Sequence, residues 1–384
     1  MNNLDFIPFS KPSLNEEEEK AVLNVMRSGW LTTAKETLEF EKEFAQYISS
    51  PFCLAVNSNT SGLQLAMEAC GIKEGTKILT TPYTFISTAT SAIHLNADVV
   101  YADIEKDTYS IDANEIEKKL KTEKNIKAIV PVHIAGNLCN MNDINYLAKK
   151  YGVYVIEDAA HSFPSKTKNG FAGTLGDIGV FSFYATKTMT TAEGGMIATK
   201  DKELAKRMST LRMHGIDRNV WDRYTSKKSS WAYDVIDAGY KFNLPDILSA
   251  MGRVQLKKSQ IFFEKRKNIA KQYNDAFSSC NFLELPPDNI GNAWHLYLLR
   301  IKREVCKISR DDFADMLQKN GIGISVHFIP HFYFTYWKNR GLNAKDFPNA
   351  QRQFEKTISI PLWPDMTQEM IDKVISSVIK IGKN

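Results

Sequence analysis

The sequence predicts an α/β protein with a large α/β/α domain around a mostly parallel sheet and a small C-terminal α/β domain. Helix and strand patterns alternate through roughly the first 200 residues. Several strand segments, such as residues 126–133 and 153–157, are largely apolar. Such segments are typical of strands that helices cover on both faces of a parallel sheet. After Cys280 the pattern changes to isolated strands and helices, which indicates the second domain.

The first half of the chain supplies most of the predicted sheet. Ser13 and Glu16 form a capping-box signature, so we expect a helix that begins there and ends near Gly29. A second helix is predicted over residues 63–70, and Asp112 with Glu115 indicates the start of a third. The predicted strands are residues 53–56, 77–80, 99–102, 126–133, 153–157, 179–183 and 195–199.

Residues 215–240 interrupt this alternation with a long polar excursion. A helix rich in Lys and Arg is predicted to follow, and isolated elements complete the chain. These predictions are a linking helix at 245–276, strands at 295–301 and 323–328, and helices at 310–318 and 368–381. We therefore assign residues 1–250 to the large domain, with the N-terminal segment and the excursion. Residues 251–384, which include most of the linking helix, form the small domain.

Composition and charge exclude several classes of protein. The chain has 384 residues, of which 43% are apolar and 24% charged, the ordinary globular range. No apolar run approaches the roughly 18 residues that span a bilayer, and the N-terminus lacks a signal-peptide pattern. The net charge of +5 is spread along the chain, unlike the clustered charge of nucleic-acid binders. Five scattered cysteines without a CxxC pair argue against a metal site. We expect a cytoplasmic protein that binds neither membranes nor nucleic acid.

Polar residues follow the predicted strand that ends at Val56. The run from Asn57 to Gly62 carries Thr60 and Ser61 and then opens a helix. Ligands of open α/β sheets bind beyond the carboxyl ends of strands, and a helix N-terminus with free N–H groups can hold a phosphate. A plain helix cap is the alternative reading. The sequence contains neither GxGxxG nor a P-loop, so dinucleotide and P-loop sites lose their main support.

Two further strand ends carry a carboxylate and a lysine. Asp158 follows the apolar residues 153–156, where a buried carboxylate needs a cationic or hydrogen-bonded partner. A helix-capping aspartate is the alternative. Lys187 follows the apolar residues 179–183, and a lysine that faces a cleft there would have a lowered pKa and could act as a Schiff-base amine. Taken singly, Lys187 is better interpreted as a solvated surface lysine.

Together the three features match the needs of pyridoxal phosphate. This cofactor requires a lysine for covalent attachment, an acidic partner for its pyridine nitrogen and an anion site for its phosphate. Phe85, in the segment TPYTFIST, would offer a flat surface to the ring, although a core aromatic is its alternative reading.

The sequence resembles the DegT–StrS family of pyridoxal-phosphate sugar aminotransferases, and the resemblance extends over nearly the whole chain. The segments that carry it are PFSKPSLNEEEEKAV, SGWLTT, NSNTSGLQLAM, TPYTFISTA, IEDAAHS, FSFYATKTMTTAEGGM, HGIDRNVWDRY, AGYKFNLPDI, AWHLYLLRI, SVHFIP and FPNAQRQFEKTISIPLWPDMT. The resemblance implies a fold-type-I transferase of the aspartate aminotransferase class. Three positions depart from the family pattern: Ala34-Lys35-Glu36 after SGWLTT, Asn59 in the phosphate loop, and His331-Phe332 after HFIP.

The resemblance also implies roles for individual residues. Lys187 would attach the cofactor and later move the proton, Asp158 would pair with the pyridine nitrogen, His161 would bond the phenolic oxygen, and Phe85 would stack on the ring. The phosphate would be held by Thr60, Ser61 and Ser182, and by Asn243 from a second subunit. Substrate contacts are expected at Thr33, His327 and His331. Arg218 and Arg223, on the polar excursion, are also candidate contacts to the diphosphate, because Arg suits paired phosphate oxygens. Solvated loop charges are the favoured alternative for these two arginines.

The implied activity is the transfer of an amino group in two half-reactions. L-Glutamate would convert pyridoxal phosphate to pyridoxamine phosphate, and a keto sugar linked to a nucleoside diphosphate would then take the amine. The resemblance is closest to members that aminate a 4-keto sugar for surface glycans or related products. It also implies a homodimer with shared active sites. A dehydratase or deaminase on the same scaffold is one alternative, although such members lack the attaching lysine; a regulatory homologue without activity is another.

Overall fold

The computed structural model describes residues 5–217, 233–287 and 291–383. Its large sheet has seven strands in the spatial order β1-β9-β8-β5-β4-β2-β3. These strands are β1 Phe52–Val56, β2 Lys77–Thr80, β3 Asp98–Tyr101, β4 Ile126–Ile129, β5 Tyr154–Asp158, β8 Ile178–Ser182 and β9 Gly195–Thr199. A short hairpin, β6 Lys166–Thr167 and β7 Gly170–Phe171, lies between β5 and β8. The α/β class that the sequence predicts is confirmed.

Four of the six pairings in the large sheet are parallel. The exceptions involve β9, which is antiparallel to both β8 and β1. Its position is fixed by close packing at Gly195, where a Cβ atom would lie 2.7 Å from the Phe181 carbonyl oxygen and 2.9 Å from the Asn59 nitrogen. Strand β9 therefore lies directly against the start of the helix that follows β1.

Helices cover the two faces of this sheet. They are α1 Glu16–Ser28, α2 Lys35–Ile48, α3 Asn59–Ala69, α4 Ser87–Ile93, α5 Ala113–Thr122, α6 Met141–Tyr151 and α7 Lys202–Leu211. One buried cluster packs α3 and α7 against the strands through Leu63, Met67, Val180 and Met208. A second packs the phenylalanines of α2 against Phe181 and Phe183. Burial on both faces explains why the strands are largely apolar.

The C-terminal elements build a smaller sheet with its own core. Strands β10 Leu283–Glu284, β11 Tyr297–Ile301 and β12 Thr357–Ile360 pair antiparallel. The accompanying helices are α8 Asp246–Phe277, α9 Arg303–Cys306, α10 Arg310–Lys319, α11 Thr335–Lys338, α12 Pro348–Lys356 and α13 Gln368–Gly382. Ile7, near the N-terminus, is buried in this core and bridges to Ile322. Helix α8 runs across residue 250, and the division into domains at that residue stays a prediction.

Three local predictions are corrected by the structure. The capping box of α1 is formed by Asn15 and Glu18, two residues beyond the predicted pair. Residues 323–328 form no strand: Gly323 donates to Ile7 and Ser325 exchanges hydrogen bonds with Ser359, so the backbone bonds are divided between two partners. The predicted strand 126–133 ends at Ile129.

Helix α2 shows why Ala34 is tolerated at a helix start. Ala34 is the N-cap and its side chain makes no capping bond. The buried carboxylate of Asp246, the first residue of α8, accepts instead from the backbone N–H groups of Ala34, Glu36 and Thr37 at 2.7–3.1 Å. The cap is thus supplied by a residue more than 200 positions away, which no local pattern predicts. No helix within the described ranges has the length and apolar character needed to cross a membrane.

Candidate active site

A cavity of about 450 Å³ opens at the carboxyl ends of β1, β5 and β8. It contains most of the residues that the sequence predicts for the site, together with residues of the C-terminal part. Its lining includes Ser58, Thr60, Phe85, Asp158, His161, Ser182, Lys187, His295, His327 and Phe328. A larger groove, of about 1190 Å³, follows the edge of β3 and contains none of the predicted site residues. The predicted site residues that line a cavity therefore lie in the smaller of the two.

The start of α3 forms one end of this cavity. Ser58 is the N-cap, and its hydroxyl oxygen accepts from the Ser61 backbone N–H at 3.1 Å. The two hydroxyl groups also lie 2.9 Å apart. Ser61 is buried by this arrangement, whereas Thr60 and Ser182 line the cavity and are partly exposed. The helix N-terminus, with its free N–H groups, is suited to an anion.

Asp158, at the end of β5, is only 3% exposed. Its carboxylate accepts from the Thr88 hydroxyl at 2.8 Å, from the Ala160 N–H at 3.2 Å and from the Asn59 amide at 3.4 Å. Burial raises the pKa of Asp158, while these hydrogen bonds and the ammonium of Lys187 oppose the rise. Asn59 also donates to the Val180 carbonyl oxygen at 2.9 Å, which ties the start of α3 to β8.

Lys187 lies on the turn that follows β8 and lines the cavity. Its backbone N–H donates to the Tyr184 carbonyl oxygen at 2.9 Å, which closes the turn. Burial lowers the pKa of Lys187 to about 8, and the nearby carboxylate of Asp158 limits the fall. A substantial fraction of free amine is therefore present near neutral pH, as a nucleophile or proton acceptor requires.

Three histidines line the cavity beside Lys187. The Nδ1 atom of His161 accepts from the Ala135 backbone N–H at 3.2 Å, so the proton of the neutral ring is on Nε2. The ring of His161 stacks on Phe328, with centroids 5.5 Å apart. Burial and the charge of Lys187 lower the pKa of His327 to about 3. The histidine rings that line this cavity are thus neutral near pH 7.

Phe85 is 54% exposed although it is apolar. It lies at the mouth of the cavity, with its ring centroid 6.0 Å from that of Phe328. An exposed aromatic face at such a place is available to a flat ligand. Its role in stacking stays a prediction.

Several predicted site residues lie outside the cavity lining. Asn243 donates to the hydroxyl oxygen of Thr33 at 2.5 Å, and that hydroxyl in turn donates to the Leu244 carbonyl oxygen. His331 is wholly buried, with its ring on Trp337 and its Nδ1 atom 3.0 Å from the Tyr101 hydroxyl. Arg218 and Arg223 are outside the described residues.

Sequence reasoning missed two residues of the cavity region, Thr88 and His295. Thr88 lies one turn beyond Phe85 and supplies the shortest hydrogen bond to Asp158. His295 is 3% exposed and lines the cavity just before β11. A signal for His295 was present, since a histidine in the apolar segment AWHLYLL is a buried polar group that needs a partner.

Glu157 and Asp158 are neighbours in sequence but point to opposite sides of β5. Glu157 is fully buried and lies 2.8 Å from the Nε2 atom of His133. It also accepts from the backbone N–H groups of Gly173, Leu175 and Gly176 at 2.6–2.8 Å. This carboxylate therefore holds the loop before β8, whereas Asp158 belongs to the cavity.

Comparison with known proteins identifies the same family as the sequence resemblance. Residues 12–379 match the family model of the DegT/DnrJ/EryC1/StrS aminotransferase family. The chain is 40% identical over 382 residues to the spore coat polysaccharide biosynthesis protein SpsC of Bacillus subtilis, covering 98% of this chain and 97% of SpsC. Helicobacter pylori PseC, an aminotransferase involved in the biosynthesis of pseudoaminic acid, is 29% identical with a TM-score of 0.89, covering 99% of both chains.

Streptococcus pneumoniae Spr1654, provisionally described as a sugar aminotransferase, has been solved in PMP and PLP forms. The PMP form is 28% identical to this chain, with a TM-score of 0.91 over 98% of this chain and 99% of the other.

Proposed function

The chain belongs to the DegT/DnrJ/EryC1/StrS family of PLP-dependent sugar aminotransferases, and on that premise we propose that it moves an amino group from L-glutamate to a keto sugar linked to a nucleoside diphosphate. The ketone is proposed to be at C4 of the sugar. The product would be an amino sugar for a surface glycan or a related compound. One observation carries the proposal: a buried carboxylate and a lysine with a lowered pKa line the same cavity.

The residues of the cavity fit pyridoxal phosphate. The cofactor's phosphate suits the hydroxyl-rich N-terminus of α3, with Thr60, Ser61 and Ser182 as the proposed contacts. Asp158 would face the pyridine nitrogen, since a buried carboxylate favours a positive charge nearby. Phe85 would lie against the ring. When bound, the cofactor supplies an electron sink for the charge that develops as the amino group is transferred.

Side chains of this protein would perform the remaining steps of the reaction. Lys187 attaches the cofactor and, as a free amine, accepts and returns the proton that moves during transfer. Its pKa of about 8 suits both tasks near neutral pH. His161, with its proton on Nε2, would donate a hydrogen bond to the phenolic oxygen of the cofactor without adding a charge. His327 and Thr33 are proposed substrate contacts.

We further propose a homodimer in which each active site uses residues from both subunits. Asn243 lies with Thr33 outside the cavity of its own chain, which is consistent with a contact to the cofactor phosphate of a partner. Large apolar side chains near the N-terminus, including Leu23, Met26 and Leu31, are 44–54% exposed and offer a surface for a second copy.

The activity is tested with a panel of nucleotide-linked keto sugars, each supplied with L-glutamate and pyridoxal phosphate. We expect 2-oxoglutarate and one amino sugar to form in equal amounts. Lys187→Ala should fold, as judged by circular dichroism, yet show no turnover and no covalently held cofactor. Turnover retained in that variant would contradict the role of Lys187, and the absence of any amino sugar product would contradict the proposed reaction.

The shared site is tested by mixing two inactive proteins, Lys187→Ala and Asn243→Ala, under conditions in which subunits exchange. If sites are shared, each mixed dimer has one site with both lesions and one with neither. Activity should then partly return. No recovery after exchange has been verified by mass spectrometry would mean that each chain builds its own site.

A further inference from the structure

His295 lines the cavity, yet the proposed reaction assigns it no task. It lies just before β11 and is only 3% exposed. Its ring lies beside that of His161, with centroids 4.4 Å apart. Lys187 and His327 line the same cavity. The imidazole therefore stands among the groups that meet the cofactor and the substrates.

The backbone of His295 is firmly held, but one nitrogen of its ring has no partner in the described part of the chain. The backbone N–H donates to the Ala135 carbonyl oxygen at 3.0 Å, and the backbone carbonyl accepts from buried Arg266 at 3.2 Å. Its Nδ1 atom is wholly buried and has no hydrogen-bond partner within residues 5–217, 233–287 and 291–383. Because the chain encloses Nδ1, Nε2 is the ring nitrogen left to bond a molecule in the cavity that His295 lines.

The electrostatic surroundings fix the charge of this ring. Burial lowers the pKa of His295 well below its usual value, and the charges of Lys187 and Arg266 add to the fall. The ring is therefore neutral, with one N–H donor and one acceptor. An orphaned N–H is rarer in protein interiors than an unpaired acceptor, so the proton belongs on Nε2 rather than on buried Nδ1. His295 and His161 thus both carry their proton on Nε2.

We propose that His295 is a specificity-determining residue whose Nε2–H donates a hydrogen bond to an oxygen of the bound substrate. The inference rests on the proposed function and deepens it. In a two-step transfer both substrates occupy the same cavity in turn, so one donor can serve each of them. The amino donor offers a carboxylate oxygen, and the sugar offers hydroxyl and carbonyl oxygens. His161 keeps its proposed hydrogen bond to the cofactor.

Two variants separate hydrogen bonding from packing. His295→Phe keeps a ring against His161 but removes both nitrogens, whereas His295→Gln keeps an N–H donor. Trp294→Phe is the matched control, because Trp294 is a buried aromatic neighbour that stacks on Tyr297 and does not line the cavity. The absorbance spectrum of each PLP-loaded variant should equal that of the unaltered protein, since the proposed bond goes to substrate.

The two half-reactions are then measured separately, with L-glutamate on the PLP form and with the active keto sugar of the panel on the PMP form. We expect His295→Phe to raise the half-saturation concentration of at least one substrate by about 10- to 100-fold. His295→Gln should restore part of the loss, and Trp294→Phe should change neither value. An effect confined to glutamate identifies a carboxylate oxygen as the acceptor; one confined to the sugar identifies a sugar oxygen.

Unchanged half-saturation concentrations for both substrates in His295→Phe would overturn the inference. A changed spectrum before substrate is added would also overturn it, because His295 would then act on the cofactor. Failure of the unaltered protein to aminate any sugar refutes the proposed function instead. If His295→Phe does not fold, the ring-nitrogen NMR signal of His295 decides: substrate should shift the Nε2 resonance, and an unmoved signal refutes the bond.

Discussion

Lys187 should capture pyridoxal phosphate near neutral pH far faster than an ordinary lysine does. Only the unprotonated amine attacks the aldehyde, and burial lowers the pKa of Lys187 from 10.5 to about 8. At pH 7.5 a pKa of 8 leaves about 24% free amine, whereas a pKa of 10.5 leaves about 0.1%. The buried site therefore offers roughly 240 times more reactive amine at that pH.

The assay mixes cofactor-free protein with excess pyridoxal phosphate between about pH 6 and pH 10. The absorbance change gives the capture rate, and borohydride reduction followed by peptide mass spectrometry shows whether Lys187 carries the adduct. The rate, corrected for a Lys187→Ala control, should rise with pH through a midpoint near 8 and level off above about pH 9. The same measurement on Nα-acetyl-lysine, whose side-chain amine is free, corrects for ionisation of the cofactor itself.

Substitution of Asp158 should change the pKa of Lys187 in a direction that the structure predicts. Its carboxylate favours the ammonium form of Lys187, so Asp158→Asn should move the midpoint of the rate profile to lower pH. A midpoint at the pKa of an ordinary lysine in the unaltered protein would refute the argument from burial. A shift to higher pH in Asp158→Asn would refute the charge coupling between the two residues.

Three further substitutions test the site and its support. Asp158→Asn should retain bound cofactor but lower turnover by about 100-fold or more, the scale of a lost electrostatic contact of about 2.7 kcal/mol; stopped-flow absorbance measures each half-reaction. Asp246→Ala removes the remote cap of α2 and should lower the free energy of unfolding by about 3 kcal/mol in urea titrations. Glu157→Gln should cost about 3 kcal/mol in the same assay, because it breaks the buried contacts to His133 and the loop before β8.

Asp275→Ala is the control for the two stability measurements. Its carboxylate is exposed and, among the residues that the structure describes, forms an ion pair with Lys271 within α8, so the change should be below about 0.5 kcal/mol. Losses of that small size at Asp246 or Glu157 would show that the hydrogen bonds of these carboxylates contribute little to the free energy of unfolding. A near-normal turnover in Asp158→Asn would count against its role beside the pyridine nitrogen.

Much of the fold was predictable because its signals are local. Apolar strands that alternate with helices predict a covered, mostly parallel sheet, and the predicted strands 77–80 and 195–199 agree with the observed β2 and β9. Capping and helix-ending signals predicted the end of α1 at Gly29 and the start of α5 at Asp112. Asp158 and Lys187 were found because polar residues directly after buried strands meet at one edge of a sheet.

The tertiary structure decided what depends on contacts between distant residues. The sequence contains Glu157 and Asp158 side by side, but only the alternation of β5 within the folded sheet sends one carboxylate to a structural loop and the other to the cavity. The cap that Asp246 supplies to α2 joins residues more than 200 positions apart, so no local pattern encodes it. The sequence shows His295 as a polar residue in an apolar segment, but only the structure shows that it lines the cavity and that its Nδ1 atom has no partner in the described part of the chain. Local periodicity specifies which elements form, whereas burial and hydrogen bonding between distant segments specify which side chains meet.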